Sequence, residues 1–109
     1  ETLDVKTVFA RMPEAFRAEK ATGVNVVFQF AISGPGGGDW AVAVKDGTCK
    51  IETGTAEKPT TTVRMADGDF LQLIAGKLDG MQAYSSGKLK VEGDIMKSQL
   101  IAKLFKFKS

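Results

Sequence analysis

Val24-Asn25-Val26-Val27-Phe28-Gln29-Phe30-Ala31-Ile32 alternates from residue to residue, with Val24, Val26, Phe28, Phe30 and Ile32 on one side and Asn25, Val27, Gln29 and Ala31 on the other. Successive side chains of a strand point to opposite faces, so this stretch is a strand with one wholly apolar face. The next run, Ser33-Gly34-Pro35-Gly36-Gly37-Gly38-Asp39, has the look of a phosphate loop. It lacks the Gly-Lys-Ser/Thr ending, and the dinucleotide fingerprint fails because Asp39 stands at its last glycine position. Immediately after it, Trp40-Ala41-Val42-Ala43-Val44 alternates large and small side chains as a second strand. The glycines therefore join two antiparallel strands, and no helix N-terminus stands beyond them to hold a phosphate.

Working outward, Asp46-Gly47 is a two-residue hairpin signal that folds Thr48–Glu52 back as a third strand and completes a meander. Thr53 to Pro59 reads as a loop, and the β-branched run Thr60-Thr61-Thr62-Val63-Arg64-Met65 as a fourth strand. Asp67 is expected to cap a helix through Phe70–Ala75 that stops at Gly76, with Asp69 favourably placed in its first turn. Asp79 caps a second short helix, Gly80 to Ser86, and Gly87 ends it. Lys88–Glu92 alternates as a fifth strand, after which Asp94 caps a last helix running from Ile95 towards Phe107. Upstream, Val5, Val8, Phe9, Met12 and Phe16 recur at three- and four-residue spacing, predicting an amphipathic helix within Val5–Lys20 that Pro13 breaks or restarts. The chain reads as one α/β (α+β) domain over residues 1–109.

The inventory removes most catalytic chemistry. With no histidine and one cysteine, a Ser-His-Asp triad, a Cys-His dyad, an HExxH zinc site and a His/carboxylate iron site cannot be assembled. The Asp67/Asp69 pair is explained by helix-terminus electrostatics, and Cys49 reads as a small hydrophobe in a strand. No catalytic residue, metal or cofactor is expected. Fifteen Lys and Arg against thirteen Asp and Glu do not make the field of a nucleic-acid binder. After Asp94, however, Lys97, Lys103, Lys106 and Lys108 stand without a carboxylate, which suits either an anionic membrane surface or the C-terminal end of a helix dipole. No apolar run reaches membrane-spanning length, and Glu1-Thr2-Leu3-Asp4 does not look like a signal peptide. A soluble cytoplasmic monomer is the expectation, and a first residue other than Met fits a processed chain or a domain cut from a longer one.

In the last predicted helix, Met96, Leu100, Leu104 and Phe107 lie along one side and Ile101 and Phe105 along another, leaving Gln99, Lys103 and Lys106 as a narrow polar stripe. So wide an apolar arc must be deeply packed, dimerise, or cover an apolar cavity. Periodicity does not choose among the three.

Thr60 through Phe70, then Gly76-Lys77-Leu78, then Gly87-Lys88-Leu89-Lys90-Val91-Glu92-Gly93-Asp94 together resemble the sterol carrier protein 2 family. The likeness rests on the Met65-Ala66-Asp67-Gly68-Asp69-Phe70 helix start, the Gly-Lys pair after it, and the strand ending in Gly93-Asp94. Asp39-Trp40 through Asp46-Gly47 is similar to that family's Trp-containing second strand and turn. The resemblance implies a five-stranded mixed, mainly antiparallel sheet with helices covering one face. It also implies an apolar tunnel between them for a fatty acid, fatty acyl-CoA, sterol or phospholipid, closed by the C-terminal helix.

On that basis the expected lining is Phe28, Phe30, Trp40, Leu73, Ile74, Leu78, Met81, Tyr84, Ile95, Met96, Leu100, Ile101 and Leu104. Each of these side chains equally suits a close-packed core. Gln99 is the candidate polar group at the mouth, because Ile95-Met96-Lys97-Ser98-Gln99 resembles the corresponding stretch in the multifunctional-enzyme branch; its place beside Lys103 and Lys106 equally suits a water-facing side chain. The expected function is nonspecific lipid binding or transfer without covalent chemistry. The alternatives are an accessory, substrate-presenting domain of a larger lipid-metabolising enzyme, fused to it or docked on it, and an oligomeric module paired through its last helix. Phe107-Lys108-Ser109 differs from the Ser-Lys-Leu peroxisomal signal of many relatives, so a peroxisomal address is not expected from these residues.

Overall fold

The computed structural model describes residues 4–105. A five-stranded sheet has the order β3-β2-β1-β4-β5, built from β1 (Asn25–Ser33), β2 (Gly38–Lys45), β3 (Thr48–Thr53), β4 (Thr61–Ala66) and β5 (Leu89–Gly93). Only the central β1–β4 pair is parallel; the other three pairs are antiparallel. Phe28 lies opposite Val42 on one side and Thr61 on the other, and Phe30 opposite Trp40 and Val63, so the apolar alternation is in phase across the sheet. The inner face consequently carries Val26, Phe28, Phe30, Ile32, Trp40, Val42, Val44, Val63 and Met65, all buried. The predicted strands stand to within two residues at each end; Val24, predicted as part of the first strand, precedes it half-buried.

Gln29 lies on the face opposite the apolar set, as the alternation places it. It is nonetheless buried, because the segment leading from β3 to β4 straps across that face. The Gln29 amide donates to the carbonyls of Gly54 at 3.0 Å and Trp40 at 3.3 Å, and its oxygen accepts from Ala56 N at 2.6 Å. Thr60 closes the strap, donating N–H to Val27 O at 2.9 Å while its hydroxyl accepts from Val27 N at 3.0 Å. A buried amide is stable only with such partners.

The helices cover the inner face. Helix α1 (Val5–Ala15) starts at Asp4, whose carboxylate accepts from Thr7 N at 2.7 Å, and it buries Val5, Val8, Phe9 and Met12. Two expectations are corrected here. Pro13 does not break the helix: it lies inside the last turn, where burial of the apolar stripe outweighs one lost backbone bond. The helical pattern also does not run on to Lys20, because Phe16 is extended and forms an isolated antiparallel bridge with Phe105, beside Arg17 N donating to Leu104 O at 2.7 Å. A 3-10 turn, Ala18–Lys20, comes next.

Helix α2 (Asp67–Ile74) has Ala66 as its N-cap, so Asp67 is the first helical residue and not the cap. Strand β4 runs straight into the helix, which frees the Asp67 carboxylate to accept from Gly36 N in the glycine loop at 3.0 Å and from Gly68 N at 2.8 Å. Asp79 caps α3 (Gly80–Ser85) through Gln82 N and Asp94 caps α4 (Ile95–Ser98) through Lys97 N, both as expected. The single terminal helix is a further correction. It consists of α4 and α5 (Leu100–Leu104), and the chain turns extended at Phe105 to meet Phe16, with ring centroids 5.5 Å apart. Phe107, Lys106 and Lys108 lie outside the described residues.

Candidate lipid site between the helices

The expected lining residues separate into three layers. Phe28, Phe30, Trp40 and Leu104 are buried in the core. Phe30 and Trp40 are held there by two side chains that sequence reasoning did not assign to the site. Phe9 of α1 stacks on Trp40 at 4.4 Å and on Phe70 of α2 at 5.3 Å, and Phe30 meets both phenylalanines edge-on. Aromatic rings in these arrangements stabilise one another beyond their burial. The α1 periodicity marks Phe9 as apolar, but nothing local pairs it with Trp40, 31 positions later in the chain.

The second layer is half-buried: Leu73 and Ile74 of α2, Leu78 after it, and Leu100 and Ile101 of α5. The third is open to solvent. Met81 and Met96 are each 74% exposed, and Tyr84 and Ile95 each 47%. Helices α3 and α4, which carry these four, both pack against β5. Large apolar side chains are thus progressively uncovered from the aromatic core out towards α3 and α4. Gln99 lies exposed at the junction of α4 and α5, its backbone N–H donating to Met96 O at 3.3 Å. Two shallow cavities, of about 240 and 300 Å³, lie on the outer side of the sheet around Val27, Ala43 and Thr60 and around Ala31, Asp39 and Arg64. Neither includes an expected lining residue.

The electrostatics of this region are quiet. Cys49 lies on the inner side of edge strand β3, opposite Val44, and burial pushes its thiol up from 9.0 to about 11, so it is neutral and a poor nucleophile at neutral pH. Among the described residues no group of three or more His, Cys, Asp or Glu side chains is arranged to hold a metal ion. None of the helices described is long and apolar enough to cross a membrane.

Comparison with known proteins decides the family, since residues 5–106 match the sequence pattern of the SCP-2 sterol transfer family. The chain belongs to that family. Hydroxysteroid dehydrogenase-like protein 2 of Mus musculus is 31% identical over 101 residues, covering 92% of this chain and 21% of the relative. Sterol carrier protein 2 of Homo sapiens is 39% identical over 75 residues, covering 66% of this chain and 14% of that protein. Among solved structures, Sterol Carrier Protein 2 Like 2 from Aedes aegypti superposes with a TM-score of 0.71 at 26% identity, covering 91% of this chain and 90% of that one. The chain therefore spans about a fifth or less of the curated relatives named, and nine-tenths of the Aedes aegypti chain. The sheet of SCP-2 folds, mixed and mostly antiparallel, is the one described above.

Proposed function

We propose that this domain binds the hydrocarbon part of a lipid reversibly, among the partly covered apolar side chains of α2, α3, α4 and α5. The observation that carries the reading is the gradient of exposure from Leu73, Ile74, Leu100 and Ile101 to Met81, Tyr84, Ile95 and Met96. Four large apolar side chains left exposed on two short helices that both pack against β5 are the kind of surface a ligand or a partner covers. Methionine adapts to irregular apolar surfaces, which fits a site indifferent to the detail of the chain it takes.

The driving force is burial alone. Each methylene removed from water contributes about 0.8 kcal/mol, so ten buried methylenes contribute roughly 8 kcal/mol, a micromolar affinity before ordering costs. A fatty acid, acyl-CoA, sterol or phospholipid all carry enough apolar surface, and selection among them falls to polar groups at the mouth. Gln99 is the proposed head-group contact, and α5, anchored by Leu104, the proposed wall. The Trp40–Phe9–Phe70 stack is the proposed floor, with Phe28 and Phe30 behind it as support.

Titration with a fluorescent fatty acid, then displacement by unlabelled palmitate, tests this. Saturable binding at one site per chain, lost on Ile101→Asp in a variant that keeps its circular dichroism, is the expected result. Absence of saturable binding to the parent chain overturns the reading.

A second reading has its own observation. The chain covers 21% of the dehydrogenase-like relative, which favours a domain that presents a lipid substrate when joined to an enzyme. Tethering raises the local concentration of the carried substrate at a neighbouring active site, and chain binding is the same physical event in both settings.

A further inference from the structure

Strand β3 is an edge of the sheet, with β2 as its one neighbouring strand among the described residues. The Asp46-Gly47 turn, with both residues at positive φ, makes Lys45 and Thr48 a hydrogen-bonded pair. Such pairs alternate along an antiparallel ladder, so Lys50 and Glu52 also turn their backbone groups towards β2. Gly54 N, donating to Asp39 O at 2.8 Å, keeps the same phase one step further on. Cys49, Ile51 and Thr53 therefore direct their backbone N–H and C=O groups to the open edge. Helix α1 packs against β3 and leaves Cys49 and Ile51 half-buried, while Lys50 and Glu52 stand exposed on the outer side.

Proteins usually guard an open edge with a charge, lysine above all. On β3 the guard is self-complementary. Lys50 and Glu52 lie two residues apart on the same side, Lys50 Nζ being 3.9 Å from Glu52 Oε1. If a second β3 runs antiparallel alongside with Ile51 opposite Ile51, each Lys50 faces a Glu52 across the seam and each Cys49 faces a Thr53. The outward backbone groups of Cys49, Ile51 and Thr53 then meet in hydrogen-bonded pairs. The neighbouring registers set Lys50 against Lys50 or Glu52 against Glu52, and a slip by one residue turns the outer side of one strand onto the inner side of the other.

We infer that two copies of this chain pair through β3, antiparallel and centred on Ile51, joining their sheets into one. The same patch serves both copies, so the contact closes on itself as a two-fold dimer. The opposite edge is less free: α3 and α4 pack against β5, and its Glu92 is held by Arg64 of β4 at 3.1 Å. That edge also carries the exposed residues of the proposed lipid site, so pairing through β3 leaves them uncovered and stands or falls apart from the lipid reading. The monomer expected from the sequence is then the dilute form of the chain.

Sedimentation velocity over a concentration series reaching the millimolar range tests the register as well as the pairing. The parent should pass from monomer to dimer and stop there. Lys50→Glu and Glu52→Lys each turn two attractive pairs across the seam into repulsive ones, which should raise the dissociation constant about 30-fold. Both side chains are exposed, so each variant should melt as the parent does. An equimolar mixture of the two single variants should dimerise again, because every seam pair is then acid against base, and Lys50→Glu/Glu52→Lys should recover the parental dimer. The inference is overturned by a parent that stays monomeric throughout, by growth beyond the dimer, by a dimer that Lys50→Glu leaves unchanged, or by a mixture no more associated than its components.

Discussion

Replacing Leu104 by alanine tests whether α5 is held as a wall of the site. Leu104 is fully buried, and its carbonyl receives the N–H of Arg17 at 2.7 Å, next to the Phe16–Phe105 bridge. The alanine keeps that backbone bond, so the loss is one of packing. Truncating a fully buried leucine costs about 2–5 kcal/mol, depending on how far the surroundings collapse, against a total of about 5–15 kcal/mol for a domain of this kind. At about 4 °C per kcal/mol for a chain of this size, the melting temperature should fall by roughly 8–20 °C. Leu100 and Ile101, half-buried on the same helix, lose their fixed position. Forfeiting about 1.4 kcal/mol of contact with a bound chain then weakens affinity about tenfold. The assay is thermal unfolding by circular dichroism, with fatty-acid titration well below the transition. A fall of less than about 2 °C would show that Leu104 is not packed as described. A variant that melts lower but binds fatty acid with parental affinity would refute the role of α5.

Three other perturbations probe the same structure. Gln29→Leu removes three hydrogen bonds and strands the carbonyl of Gly54 and the N–H of Ala56, so urea unfolding should show a loss of about 2–3 kcal/mol. Gly34→Ala should cost more than Asp67→Ala: Gly34 has φ +101, and a Cβ there would collide with the Asp67 carboxylate. Asp67→Ala loses the bonds from Gly36 N and Gly68 N, worth about 1–2 kcal/mol together, and the two are ranked by thermal unfolding. Cys49 has a folded-state pKa raised to about 11 from 9.0, so its contribution to stability is intact below about pH 9 and is lost as pH rises from there through 11. Reaction with a disulfide reagent should accordingly be slow at pH 8 and speed up only in alkaline solution, and fast labelling of the folded chain at pH 8 would contradict the burial of this thiol.

Much of the fold was legible because the strands are governed by local alternation. The phase of Val26, Phe28 and Phe30 dictates which side of β2 and β4 is buried, and the Asp-Gly turn and glycine loop fix the meander. The features that were not legible depend on distant partners. Alternation puts Gln29 on the outer face, and only the strap from Gly54 to Thr60, laid across it, shows it to be buried. Asp67 has every local mark of a cap, and only the approach of the glycine loop gives its carboxylate another use. The last helix ends early because Phe105 finds Phe16, from the other end of the chain. The candidate site shows the same division. Periodicity supplies the apolar residues of α2 and α5, but helices of four to six residues have too few turns to reveal that Met81 and Met96 stay uncovered. Phe9 packs on Trp40, and Phe70 on Phe9, through tertiary stacking that no local pattern encodes.

The central claim, reversible burial of a lipid chain, is tested most directly by native mass spectrometry of the purified protein against its denatured mass. The account predicts an added mass matching a fatty acid, acyl-CoA, sterol or phospholipid, either carried through purification or acquired on titration with palmitate, at one molecule per chain. A mass that equals the denatured chain and stays there through titration with fatty acid, acyl-CoA, sterol and phospholipid would contradict it.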